Sequence, residues 1–397
     1  MLTHRFVYPP NRGDRIRSYN LLKVLSEHYR ITLACPLDEP VSDDEQQHAR
    51  SYCETLLIAA LQRSGRLFNA ATSTLRGESL TAGMFYSRQL WNQVQQQQRL
   101  QPFDVVLVFC SSMFSYVDNP LFEGTPVIVD LVDVDSVKWT QMAQQSSWCN
   151  RIYRLEANRV RKLEQRIAER ASAVALVSDQ EAELFRRTVT PAARVRGVSN
   201  GVDTEYFAPP PTPGRTPLAP AVSLVFTGVL DYAPNVEGIV WFCREVLPQL
   251  PPQLDVQLAI VGRRPSARVL ALDRLPQVEV VGAVPDVRPY LHRADIAISP
   301  LKLARGIQNK VLEAMACGLP VIATRPSAEG IDAQPDAEIV IADTAQEWRH
   351  ALEQLAHDAP TRARIGAAAR DLVMNRYSWP ARLAGLVDLL NEKIDQE

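Results

Sequence analysis

The chain has 397 residues, more than one hydrophobic core usually organises, so length alone predicts two domains. Its 46% apolar and 22% charged residues are those of a globular protein, and a formal net charge of -2 argues against nucleic acid as a partner. Six cysteines without a C-x-x-C pair point away from a zinc site and toward a reducing cytoplasm, and no run approaches the ~18 apolar residues of a membrane span.

In chain order, the first strand-like run is short. Only residues 1–6 precede the Tyr8-Pro9-Pro10 turn, where a strand of about five residues is expected, so either the strand is clipped or the start codon was assigned late. Residues 11–17 (NRGDRIR) open a helix predicted to reach about Tyr29, with Asp14 as its cap and Arg15 and Arg17 on different faces. β-Rich apolar runs follow at 30–36, 54–60, 104–109, 126–132 and 173–178. Residues 150–170 read as a helix rich in arginine (Arg151, Arg154, Arg159, Arg161, Arg166, Arg170) with glutamates between. That pattern suits a solvated helix laced by i,i+4 ion pairs, or a surface that leans on an anionic membrane. Ser178-Asp-Gln-Glu181 carries a capping-box pattern for the next helix.

Proline then breaks the chain at 208–220 (APPPTPGRTPLAP), which neither helix nor sheet can cross, and this stretch is read as a linker. Beyond it, β-rich runs at 223–228, 256–262, 278–282, 294–300, 319–324 and 337–342 alternate with helical patterns. Near-continuous apolar strands separated by helices mean parallel sheets covered on both faces. The expectation is an α/β fold of two doubly wound, Rossmann-like domains. The first spans 1–207 and the second 221–376, and a final amphipathic helix over 377–397 packs back toward the first.

The segment richest in chemistry is 305–320 (RGIQNKVLEAMACGLP), which follows the buried run ending at Ser299-Pro300. Helix formers extend from about Asn309 to Cys317, Gly318 suits a left-handed C′ position, and Pro320 stops continuation. Lys310 and Glu313 share one face near the amino-terminal end. Free amides at 307–310, with the positive pole of the helix dipole, make a seat for a diphosphate, Lys310 adds charge, and Glu313 can accept from two vicinal ribose hydroxyls. A plain Lys/Glu ion pair is the bland alternative. Gly228, Gly262, Gly282 and Ser299-Pro300 fall at strand ends, where ligands of open α/β sheets collect. Gly13, before a helix and after a strand, is suited to phosphate approach, with Arg17 reaching the phosphates or the acceptor.

The string LEAMACGLPVIAT (312–324), the turn Ser199-Asn-Gly-Val-Asp203 with Phe207, Ala259-Ile-Val-Gly-Arg263 and the Tyr8-Pro-Pro-Asn-Arg-Gly13 loop resemble the retaining GT-B glycosyltransferases of group 1, over essentially the whole chain. More narrowly, residues 9–18, the 130–136 stretch (DLVDVDS) with Trp139, residues 231–235 (DYAPN) and residues 305–310 are similar to sugar transferases associated with PEP-CTERM/exosortase and exopolysaccharide clusters. The resemblance implies a nucleotide-diphosphate sugar donor, a glycan or lipid-linked acceptor, cytoplasmic location or the inner face of the membrane, and neither metal nor cofactor. In those terms Gly13, Arg17, Arg305, Ile307 and Lys310 face the diphosphate and Glu313 the ribose. Gly262, Gly282 and Val284 lie on the nucleobase side.

Three departures stand against the family pattern. Arg305 replaces the first of two motif glutamates, the Arg and Lys expected after Phe226-Thr-Gly228 are missing, and no histidine follows the 126–132 strand. Arg305 restores a cation near the diphosphate or pairs with a carboxylate on the donor sugar. For acid or base work near the acceptor, Asp133 and Asp135 are the candidates, with helix capping as their alternative role. The absence of a strand–GxGxxG–helix unit disfavours a dehydrogenase; an epimerase of the same architecture and a non-catalytic nucleotide-sugar binder remain as competing readings.

Overall fold

The structure is a computed structural model that describes residues 1–61, 65, 69–70, 72–74, 77–145, 150–191, 194–210, 222–304 and 306–394. Most of the proline-rich linker, Cys149 and Arg305 therefore lie outside the described residues. The chain divides into two compact units, Met1–Asn200 with Arg382–Glu397, and Gly201–Ala381.

The first unit is built on β1 (Leu2–Thr3), β2 (Thr32–Leu37), β3 (Thr55–Ala60), β4 (Val106–Phe109), β5 (Val127–Val132), β6 (Ala173–Leu176) and β7 (Val195–Gly197). Every pairing is parallel and the order is β3-β2-β1-β4-β5-β6-β7. All four residues of β4 and of β6 are buried, as expected of strands with helices on both faces. β7 has no counterpart in the sequence reading, because three residues with an exposed Arg196 at the centre carry no periodic signal. β1 is two residues long, yet it pairs with both β2 and β4.

The second unit carries β8 (Val222–Thr227), β9 (Val256–Val261), β10 (Val278–Gly282), β11 (Ile296–Ser299), β12 (Val321–Ala323) and β13 (Val340–Ile341). They are parallel in the order β10-β9-β8-β11-β12-β13. One core layer gathers Phe226, Phe242 and Trp348, with the last two rings edge-to-face at 5.2 Å. The other gathers Val225, Val261, Val311, Leu312, Met315 and Val373 beneath the Asn309–Ala316 helix.

Some local expectations change. Residues 201–207 belong to the second unit: the Val202 amide donates to the Tyr377 carbonyl at 2.7 Å, and Phe207 packs on that unit's core. At the other end, the Tyr29 hydroxyl donates to Asn391 Oδ1 at 2.6 Å within the first unit. The long helix spans Asn150–Arg170 as read, but among the described residues none of its ion pairs is i,i+4. Arg166 and Arg170 pair with Asp118, while Glu156 and Glu164 are buried. Only half of the capping box at Ser178 forms: its hydroxyl accepts from the Glu181 amide, while the Glu181 carboxylate accepts from the Val134 amide at 3.0 Å.

Candidate functional site

In the second unit the strand order reverses between β8 and β11, and ligands of such sheets bind outside the carboxyl ends of strands at that reversal. The helix that follows β11 spans Asn309–Ala316. It ends as the sequence dictates, with Gly318 at φ +73 and the Gly318 and Leu319 amides donating to the Met315 and Ala314 carbonyls. Its start has no side-chain cap: the Val311 amide turns back to the Gln308 carbonyl at 3.0 Å, and among the described residues the Asn309 and Lys310 amides have no acceptor.

Lys310 and Glu313 do not form the plain ion pair: among the described residues no salt bridge joins them. Lys310 Nζ instead donates to Asn235 Oδ1 and stands 4.6 Å from the Phe226 ring centroid, at the mouth formed by Gly228. Burial lowers the Lys310 pKa to about 8, against the pull of Glu313. Burial likewise raises the Glu313 carboxyl to about 7, against the pull of Lys310. Lys310 thus has a neutral amide and a ring face for partners rather than a carboxylate, and Glu313 is buried with no ion pair among the described residues, which is the state of a site that a ligand completes. A hollow under the helix is lined by Thr227, Ser299, Lys310 and Val311.

The glycines have different causes. A Cβ on Gly262 would stand 1.7 Å from the Gly228 carbonyl oxygen, so the close approach of the β8 and β9 ends requires glycine there. Gly282 has φ +78, which glycine alone adopts without strain. Val284 is half-buried against the second core layer, as is Ile307, whose amide lies near Gly330.

The first unit reverses between β1 and β4. Gly13 starts the Gly13–Ser26 helix with nothing within 4 Å of where a Cβ would sit, and it is exposed. Neither packing nor dihedral explains the glycine. Asp14 is not the cap: it pairs with His4, Arg5 and Arg12 at 3.3, 3.4 and 3.5 Å, and the His4 hydrogen bond first among these holds its carboxyl well below the usual range. Arg17, expected at the phosphates, is 1% exposed; Nε donates to Asp130 Oδ2 and Nη1 to Asn200 Oδ1, both at 2.8 Å. The reason is Asp130 itself, a carboxylate in the buried strand β5 that needs a counter-charge. Asp130 was visible as the one acid in VIVDLV, and the sequence reading gave it no role.

Asp133 and Asp135 follow β5. Asp133 accepts from Lys138, and Asp135 accepts from Ser111 at 3.3 Å with Lys138 at 3.9 Å. The amides at the start of their helix, Val134 and Ser136, donate instead to Glu181 and Glu164. Capping thus comes from other helices and leaves Asp135 free to face the strand ends, where burial raises its pKa. Beside it stand two groups the sequence reading passed over, His4 and Cys110, each one residue past a strand end. Among the described residues no group of three or more His, Cys, Asp or Glu is arranged to hold a metal ion.

With this geometry in place, two family models match the chain: "Glycosyl transferase 4-like domain" over residues 19–201 and "Glycosyl transferases group 1" over residues 221–358. Together the two matches take in most of the chain, which belongs to the glycosyl transferases, with its second unit of the group 1 type. This member is 27% identical over 241 residues to a D-inositol 3-phosphate glycosyltransferase of Arthrobacter sp., covering 57% of this chain and 55% of that protein. It is 26% identical over 246 residues to a GDP-mannose-dependent alpha-(1-6)-phosphatidylinositol monomannoside mannosyltransferase of Mycolicibacterium smegmatis, covering 57% and 64%. The matched region thus spans between half and two thirds of these relatives. Two-domain GT-B architecture is shared with sucrose-phosphate synthase of Thermosynechococcus elongatus (TM-score 0.60, 17% identity, 100% and 99% covered). It is also shared with Anabaena HepE in complex with UDP (TM-score 0.58, 15% identity, 94% and 95% covered).

Proposed function

We propose that this chain transfers a sugar, with retention, from a nucleotide-diphosphate sugar to a glycan or lipid-linked acceptor, in exopolysaccharide or cell-surface glycan synthesis. The observation that carries the reading is the uncapped start of the Asn309–Ala316 helix at the strand reversal of the second unit, with Lys310 and Glu313 buried there without an ion pair. The helix start and Lys310 receive the diphosphate, Glu313 the ribose, and the helix dipole with cationic side chains replaces a metal in stabilising the departing diphosphate. Arg305 adds a cation on the same segment; the sequence places it five residues before Lys310. On the first unit Asp135, with Asp133 beside it, handles protons at the acceptor. UDP and UDP-glucose complexes of Anabaena HepE support a nucleotide-sugar donor.

No helix among the described residues is long and apolar enough to cross a membrane. We place the acceptor at the inner face of the cytoplasmic membrane, because Ile152 and Leu155 are 61% and 48% exposed beside Arg151 and Arg154, the pattern of a helix resting on anionic lipid. The test is turnover of a panel of UDP- and GDP-sugars with and without an extract of cell-surface glycans and lipids. Acceptor-dependent nucleotide release supports transfer. A new sugar nucleotide formed without acceptor indicates an epimerase, and binding without turnover a scaffold; either overturns the proposal.

A further inference from the structure

At the strand reversal of the first unit, β1 and β4 pair in parallel with Thr3 opposite Phe109. The next residue of each strand, His4 and Cys110, therefore emerges side by side at the carboxyl edge, where the general rule for open α/β sheets puts a ligand. Cys110 has φ 72 and ψ 156, a region a non-glycine residue rarely holds, and Val132 at the end of neighbouring β5 has φ 70. Such strain concentrates where side chains are aimed for function.

His4 is built into place. Its ring stacks on Phe109 at 5.7 Å and meets Phe85 edge-on at 5.1 Å, and Nε2 lies 3.3 Å from Asp14 Oδ2. Nδ1 is buried and turned toward the Cys110 thiol, with no oxygen or nitrogen partner among the described residues. The other polar groups at this edge are the Ser111 hydroxyl on Asp135, the Ser112 hydroxyl 3.1 Å from Cys110 Sγ, Arg5 and Arg12 on Asp14, and Lys138 on Asp133. Acids and bases are interspersed, so the edge favours a neutral, hydroxyl-rich ligand over an anion.

We propose that His4 is a positioning residue of the acceptor crevice: Asp14 orients its ring, Nδ1 binds a hydroxyl of a polyhydroxylated acceptor, and Cys110 forms the facing wall. The inference rests on the glycosyl-transfer reading for the word acceptor alone; the crevice and its ligand class are testable without turnover. Burial opposes a charge on His4, but Cys110 and Asp14 outweigh it and raise its pKa to about 9.

Cys110 is the reporter. Burial raises the Cys35, Cys243 and Cys317 thiols to about 12, whereas Cys110 is half-buried. The full chain is treated with iodoacetamide, with and without myo-inositol as a neutral polyol probe, and modification at Cys110 is followed by peptide mapping. With inositol at about two to nine times its Kd, Cys110 alkylation is expected to slow about three- to tenfold, by the factor 1 + [L]/Kd. His4→Gln, whose amide reaches toward Asp14 and leaves the Nδ1 position empty, loses the protection. His4→Asn, whose amide nitrogen falls near Nδ1, keeps it. No protection in the wild type, or equal protection in His4→Gln, overturns the proposal. Unchanged protection without any sugar transfer instead overturns the glycosyl-transfer reading and leaves the crevice standing.

Discussion

Glu313 and Lys310 lie one helical turn apart without forming an ion pair, and burial holds both charges at a cost. Glu313 has a folded pKa of about 7 against an ordinary 4.5, so its contribution to stability is fully present below 4.5 and lost as pH rises through about 7. Glu313→Gln is expected to raise thermal stability at pH 8. It should also weaken nucleotide binding by about 10- to 100-fold, the range for a lost hydrogen bond to a charged group, as read by calorimetric titration. The glycines divide in the same way. Gly262→Ala forces a Cβ onto the Gly228 carbonyl and should destabilise by at least about 2 kcal/mol in urea melts. Gly13→Ala meets open space and should leave the melt unchanged while lowering turnover, because what a methyl there obstructs is the incoming donor.

At the scale of elements, the helix Asp135–Gln145 depends on its neighbours. Its first amides are taken by Glu181 and by Glu164, and Glu164 is fully buried with Oε2 unpaired. Burial raises Glu164 to about 7, so the protonated form stabilises the fold below 4.5 and that contribution is lost as pH rises through about 7. Glu164→Gln should remove this dependence and gain on the order of 2–3 kcal/mol at pH 8 relative to wild type. Equal pH dependence of the wild-type and variant melts sinks this account. The capping box read at Ser178 failed in its reciprocal half for a related reason: pattern describes a helix in isolation, whereas Glu181 gains more from sealing a second helix than from its own cap.

For the whole molecule, two separate cores imply separate melting. The hydrogen bonds and charge contacts proposed for the nucleotide lie on the second unit, with Gly13 of the first only leaving room for the donor, so at about 100 times Kd nucleotide should stabilise the second unit by about 2.7 kcal/mol. Differential scanning calorimetry is expected to show one transition moving with UDP or GDP and the other staying; both moving equally contradicts a site confined to the second unit. The strands that define those cores were readable because a buried parallel strand is an uninterrupted apolar run, as in VLVF and AVAL. The helix carrying Lys310 and Glu313 was readable too, from its formers and from the glycine at its end. Those are local properties, set within a few residues of chain.

Local pattern along the chain was enough for the two-sheet α/β class, the placement of most strands, and the segment that holds the candidate donor contacts. Which charges are satisfied depended on contacts between distant segments. Arg17 looked free to reach a phosphate until β5 brought Asp130 beneath it, and Asp14 looked like a cap until His4, Arg5 and Arg12 surrounded it. His4 and Cys110 stand 106 positions apart in the numbering and meet because the Thr3–Phe109 register brings them to one edge. Pairing across such a distance depends on strand order, and strand order is a property of the assembled sheet rather than of any window of sequence.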